Sequence, residues 1–164
     1  MKDLIVYYSL EGNTEYVVNK IKEINNADVL KLVPKKAYSD KGFSKFLWGG
    51  KSAVMGEKPK LEEYTVDLDA YDRIILGFPV WASTFTPPLR TFICDNIDTI
   101  KNKRIAAFAC QGGSGAEKAL TKLAECIGIK EFEDKAVFID PKARHTEDTD
   151  KAIEIFANNL KDRV

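Results

Sequence analysis

The sequence has no surplus of either charge: 25 Lys and Arg stand against 25 Asp and Glu. A nucleic-acid partner usually requires a basic excess, so that class is set aside. No apolar run is long enough for a bilayer. The longest, Ile74 to Ala82, falls well short of the ~20 residues a spanning helix needs. Met1-Lys2-Asp3-Leu4 leads straight into an apolar run with no signal-peptide cleavage pattern; a cytoplasmic protein without a membrane partner is therefore expected. Cysteine is scarce. Cys94, Cys110 and Cys126 are odd in number and contain no Cys-x-x-Cys pair, which argues for reduced thiols and against a disulfide framework or a zinc site. The single histidine, His145, precedes the last helix and reads as a surface or capping residue, so no catalytic role is assigned to it. Neither an internal repeat nor a low-complexity linker interrupts the chain, and one domain over 1–164 is expected.

What is present is an alternation of strands and helices. Leu4 to Tyr8 is a continuous apolar run, as expected for a strand buried on both faces. Val17, Ile21 and Ile24 follow at helical spacing. Further strands are expected at Asp28–Val33, Ile74–Phe78, Arg104–Cys110 and Phe132–Ile139. Pro87 and Pro88 open a helix whose buried face runs through Leu89, Phe92, Ile93, Ile97 and Ile100. Ala116 to Ile127 forms another, with Gly128 as its stop, and Ile153 to Leu160 forms the last. Phe43, Phe46, Leu47 and Met55 suggest a short helix in the long connection between the second and third strands. Five strands alternating with helices predict a doubly wound parallel sheet with helices on both faces.

Charge is uneven along this chain. Between Lys31 and Lys60 stand eight lysines against Asp40 and Glu57. The segment reads either as a solvated face or as a docking patch for an anionic partner or a dinucleotide phosphate.

Ligands of such sheets bind at the carboxyl ends of the strands. Three loops leave those ends. Ser9 to Thr14 runs into a helix N-terminus, where unsatisfied N–H groups attract an anion and Gly12 permits close approach. Ser9, Asn13 and Thr14 add short hydrogen-bonding side chains; equally, Ser9 or Asn13 closes the helix as a cap. In Pro79 to Pro88, Trp81 and Phe85 either stack on a flat ring or plug the sheet end as core. Gln111 to Gly115 has three glycines and no bulky side chain, so a ligand can approach its backbone closely. Other phosphate motifs fail: there is no Gly-x-Gly-x-x-Gly after the first strand, and Lys45 stands where a Walker loop ending in Gly50-Lys51-Ser52 needs glycine. A phosphate loop, an aromatic loop and a glycine loop at one sheet edge fit a phosphorylated planar ligand such as FMN.

At this point the sequence resembles the flavodoxin family over nearly its whole length. Tyr8-Ser9-Leu10-Glu11-Gly12-Asn13-Thr14, Gly77-Phe78-Pro79-Val80-Trp81 and Gln111-Gly112-Gly113-Ser114-Gly115 carry the resemblance. It implies a flavodoxin-like sheet in the family's order 2-1-3-4-5 and FMN as cofactor. By the same resemblance Ser9, Asn13 and Thr14 hold the phosphate, helped by the N–H groups of Leu10, Glu11 and Gly12. Pro79, Val80, Trp81, Ala82 and Ser83 line the flavin ring, and Gln111, Gly112 and Gly113 close its other side; Cys110, at the end of the fourth strand, stands beside the flavin and reads as a buried small hydrophobe rather than a redox group. The sequence departs from the family at Glu11, where threonine or serine is usual, and in its neutral charge. The implied function is electron transfer to a redox partner protein or a small-molecule electron acceptor. An FMN-dependent NAD(P)H reductase of quinones or nitro compounds, and a flavin-free module that binds a partner, are the alternatives.

Overall fold

The structure is a computed structural model and describes residues 1–39 and 48–162. Strand β1 (Asp3–Tyr7) lies second from one edge of a five-stranded parallel sheet. Its neighbours are β2 (Asp28–Lys31) and β3 (Arg73–Pro79), followed outward by β4 (Arg104–Gln111) and β5 (Lys135–Ile139). The spatial order is β2-β1-β3-β4-β5, as the resemblance implies. Every residue of β1 is buried, which explains its unbroken apolar run.

Side chains alternate across the sheet and so create two cores. Leu4, Val6, Leu76 and Phe78 face helices α3 (Pro87–Asp95) and α5 (Ala116–Ile127). Ile5, Tyr7, Ile75 and Phe108 face α1 (Asn13–Asn25) and α6 (Glu147–Asp162). Gly77 is required here: a Cβ at that position would stand 2.4 Å from the Phe108 ring.

Several expected boundaries shift. The second strand ends at Lys31, and the fifth begins at Lys135 rather than Phe132. The helix expected from Pro87 to Ile100 is interrupted at Asn96, with a short α4 (Ile97–Ile100) after it. In the long connection, the short α2 (Gly50–Val54) is present, but Met55 only caps it and is exposed. Phe43, Phe46 and Leu47 lie outside the described residues. That connection is tied back to the sheet edge, where Lys35 donates to the Lys60 carbonyl at 2.8 Å and Glu62 to the Val33 carbonyl at 2.7 Å. The parallel register brings Tyr7, Pro79, Gln111 and Ile139 to one edge of the sheet. Four loops meet there.

Candidate functional site

A cavity of about 790 Å³ opens at this edge, lined by Leu10, Glu11, Asn13, Gly50, Pro79, Val80, Trp81, Ala82, Cys110, Gly112, Asp140, Lys142 and Ala143. Nine of these are among the residues singled out in the sequence for this site. Gly50, Asp140, Lys142 and Ala143 are not.

The first loop turns into α1 through Gly12, whose φ of 90° is in the left-handed region where glycine is favoured. Ser9 Oγ accepts the Glu15 N–H at 3.3 Å and thus closes the helix start. The Asn13 side chain is also engaged. Its Oδ1 accepts the N–H groups of Lys142 and Ala143 at 3.0 and 3.1 Å, which ties this loop to the one after β5. Thr14 is buried, and its Oγ1 makes no hydrogen bond of ordinary geometry among the described residues, with the Cys110 thiol as its weak polar neighbour. The remaining N–H groups of the first turn have no intrahelical acceptor. Glu11 is exposed at the cavity rim.

The second loop makes a tight reversal. Trp81 and Thr84 exchange two backbone hydrogen bonds of 3.0 Å. The two residues between them, Ala82 and Ser83, have φ of 49° and 56°. Positive φ at both positions is the hallmark of a type I′ turn, normally built with glycine or asparagine. Holding alanine and serine there costs of order 1–3 kcal/mol each. The turn sets Trp81 on the cavity wall, edge-on to Tyr8 (5.6 Å between centroids) and Tyr38 (5.0 Å). Gly49 packs against the indole, since a Cβ there would stand 3.2 Å from the ring. Ser83 does not line the cavity: it packs on Gly115, where a Cβ would meet its Oγ at 2.7 Å. Phe85, the other aromatic of this loop, is core, 1% exposed and packed against Phe78.

The third loop contributes Gly112 and the preceding Cys110. Burial pushes the Cys110 thiol up to about 12, against a smaller opposing effect of the Thr14 hydroxyl; it is protonated near neutrality and unsuited to nucleophilic work. Gln111 turns away and accepts the Ala116 N–H at 2.9 Å, capping α5. Gly113 lies outside the lining.

The fourth loop was not singled out by the sequence. Asp140, with φ of 39°, places its carboxylate beside Gly112. Arg144 Nε holds that carboxylate at 2.9 Å, and its Nη2 donates to the Gly112 carbonyl. Lys142 Nζ reaches over the first loop, 2.9 Å from where a Gly12 Cβ would stand. His145 is outside the cavity, bonded to Asp150 at 3.1 Å. Among the described residues no cluster of His, Cys, Asp and Glu could hold a metal ion, and no helix is long and apolar enough to cross a membrane.

Solved structures of this architecture agree with the topology. A flavoprotein from Lactobacillus acidophilus, crystallised in complex with FMN, superposes with a TM-score of 0.72 at 21% identity, covering 83% of this chain and 92% of its own. A flavoprotein from Bacteroides eggerthii gives 0.68 at 21% identity, over 95% and 98% of the two chains. Oxidised flavodoxin 2 from Bacillus cereus gives 0.61 at 19% identity over 100% of both. Likeness at this identity establishes the fold. No curated relative matches the chain. A family description, Flavodoxin, matches residues 2–152. With that match spanning the sheet and its four edge loops, the chain belongs to the flavodoxin family.

Proposed function

We propose that the protein binds FMN without a covalent bond and carries electrons between a donor and a redox partner protein or small-molecule acceptor. The observation that carries this reading is the one cavity joining an anion-attracting helix start to an aromatic wall. Its volume of about 790 Å³ lies within the roughly 300–1,000 Å³ range of cofactor pockets. The residues fit the group. The first turn of α1, with the buried Thr14 hydroxyl in it, would hold the phosphate; Val80, Trp81, Ala82, Cys110 and Gly112 would flank the ring.

When bound, FMN supplies the electron-transfer chemistry, and the protein tunes its potential and access. The carboxylates of Glu11 and Asp140 border the cavity, the latter offset by Arg144. Together with the Trp81 wall they disfavour added negative charge, which lowers a flavin's reduction potential. No side chain has to serve as nucleophile or general acid. The three unpaired thiols suit a reducing compartment such as the cytoplasm.

The test begins with colour. The purified protein, or the apoprotein mixed with FMN, should show flavin absorbance and quenched flavin fluorescence. Trp81→Ala should weaken FMN about tenfold and restore part of the fluorescence, in keeping with an aromatic contact plus its buried area. A protein that stays colourless at high FMN is the flavin-free module instead. Rapid NAD(P)H oxidation with a quinone as acceptor would replace the carrier by the reductase.

A further inference from the structure

We infer that Lys142, on the loop after β5, is a cationic clamp for the phosphate of the flavin, and that Asn13 positions it. The inference rests on the FMN reading above and adds a residue to the site.

The placement is electrostatically odd without an anion. The first turn of a helix carries the positive end of its dipole, so a lysine over it is unfavourable. Yet Lys142 Nζ lies against Gly12, at the start of α1. It forms no ion pair among the described residues. The nearby carboxylates do not capture it. Glu15 feels its charge but is bound by Lys31 at 2.7 Å, and Asp140 is held by Arg144 at 2.6 Å. Glu11 lines the same cavity.

A phosphate removes the conflict. It would accept from the N–H groups of the first turn and from the ammonium at once, turning mutual repulsion into two attractions. Thr14 supplies the second observation. Its Oγ1 is buried in the first turn of α1, with the residue 1% exposed, and makes no hydrogen bond of ordinary geometry among the described residues, the neighbouring Cys110 thiol being a weak partner. A bound oxyanion would satisfy it.

Asn13 explains how the lysine gets there. Its Oδ1 accepts the backbone N–H groups of both Lys142 and Ala143. That fixes the loop 129 residues away in sequence, so the ammonium is aimed at Gly12 while the Asn13 carbonyl itself is spent on the loop. Asn13 therefore acts through Lys142.

The experiment measures dissociation constants of FMN and riboflavin by fluorescence quenching, at low and high salt, for wild type, Lys142→Met, Lys142→Arg and Asn13→Ala. Lys142→Met should weaken FMN about tenfold at low salt, since a charge-assisted hydrogen bond is lost at an exposed group. The deficit should shrink at high salt as screening grows. Riboflavin, without the phosphate, should bind every variant alike, which also reports that each is folded. Lys142→Arg should keep most of the FMN affinity, and Asn13→Ala should lose part of it. An FMN-to-riboflavin ratio unchanged in Lys142→Met overturns the clamp while leaving FMN binding intact. Wild type that binds neither flavin overturns the FMN reading and the clamp with it.

Discussion

Glu11 sets a negative charge in a loop shaped for an anion. The structure places it at the exposed rim of the cavity, where its backbone N–H belongs to the loop. At several ångströms and in high dielectric, repulsion from a phosphate costs about 1 kcal/mol. Lys142, whose ammonium lies over Gly12 of the same loop, offsets part of that cost. Removing the carboxylate should therefore help. Glu11→Thr is expected to tighten FMN several-fold at low salt and less at high salt, with riboflavin unchanged. A weaker FMN affinity in this variant would mean that the carboxylate makes a favourable contact to the ligand. Residues of this kind were legible because their roles follow from the loop they occupy. Lys142 was not, because in sequence it is one lysine in an ordinary surface turn. Only the contact from Asn13 Oδ1 across the molecule gives it a place. Likewise Gly50 belongs to a broken phosphate motif in sequence, whereas in the fold it opens α2 against Ala82, next to Gly49 on Trp81.

The elements themselves were largely written in the chain. Strands β1, β3 and β4 are buried on both faces, so their apolar runs have no competing explanation. The edge strands β2 and β5 are partly exposed, which weakens the pattern and blurred their ends. The break after α3 was hidden for a different reason: Ile97 and Ile100 continue the apolar spacing while Asn96 leaves the helical region at φ −123°. The fourth loop could have been found from topology alone, since β5 ends at the same edge as its neighbours. Its positioning depends on how α6 docks on α1. Asp150 is the joint: it accepts from Tyr16 Oη at 2.7 Å and lies 3.1 Å from His145 Nε2 and 3.0 Å from Lys20 Nζ. Hydrogen bonds from Tyr16, then His145 and Lys20, hold its carboxyl far below the ordinary 3.8. A depressed carboxyl stabilises the fold above its unfolded value and loses that contribution as pH falls toward the folded one. Asp150→Asn should thus lower the melting temperature at pH 7. The gap to wild type should narrow as the pH falls below 3.8, measured by circular dichroism. A gap that stays constant down to pH 2 would show that the carboxylate charge is not what joins the helices.

Across the whole molecule, binding and anchoring are placed at opposite ends of the sheet. The cavity is at the carboxyl end of the strands, while the other end is fastened by a buried ion network. Arg73, 1% exposed at the start of β3, binds Asp3 of β1 at 2.7 Å and Glu133 before β5 at 2.9 Å. One guanidinium on the central strand thereby links β1 on one side to the approach to edge strand β5 on the other. The network is not fully satisfied, for Arg73 Nε and Asp3 Oδ1 have no hydrogen-bond partners among the described residues. Such a network specifies geometry more than it adds stability, because desolvation offsets much of the attraction. Removing one member is costly nonetheless, since it strands a buried charge. Arg73→Ala should destabilise by about 3–5 kcal/mol in urea unfolding. Arg73→Met combined with Asp3→Leu should recover much of that loss, because the stranded carboxylate of β1 is removed and apolar bulk replaces it. Glu133 keeps Arg104 as a partner at 2.5 Å in the double variant, so it is not left alone. At temperatures where each variant is folded, the FMN-to-riboflavin ratio should match wild type, because none of these residues lines the cavity. If the double variant is no more stable than Arg73→Ala, the ion network contributes through geometry that apolar side chains cannot replace.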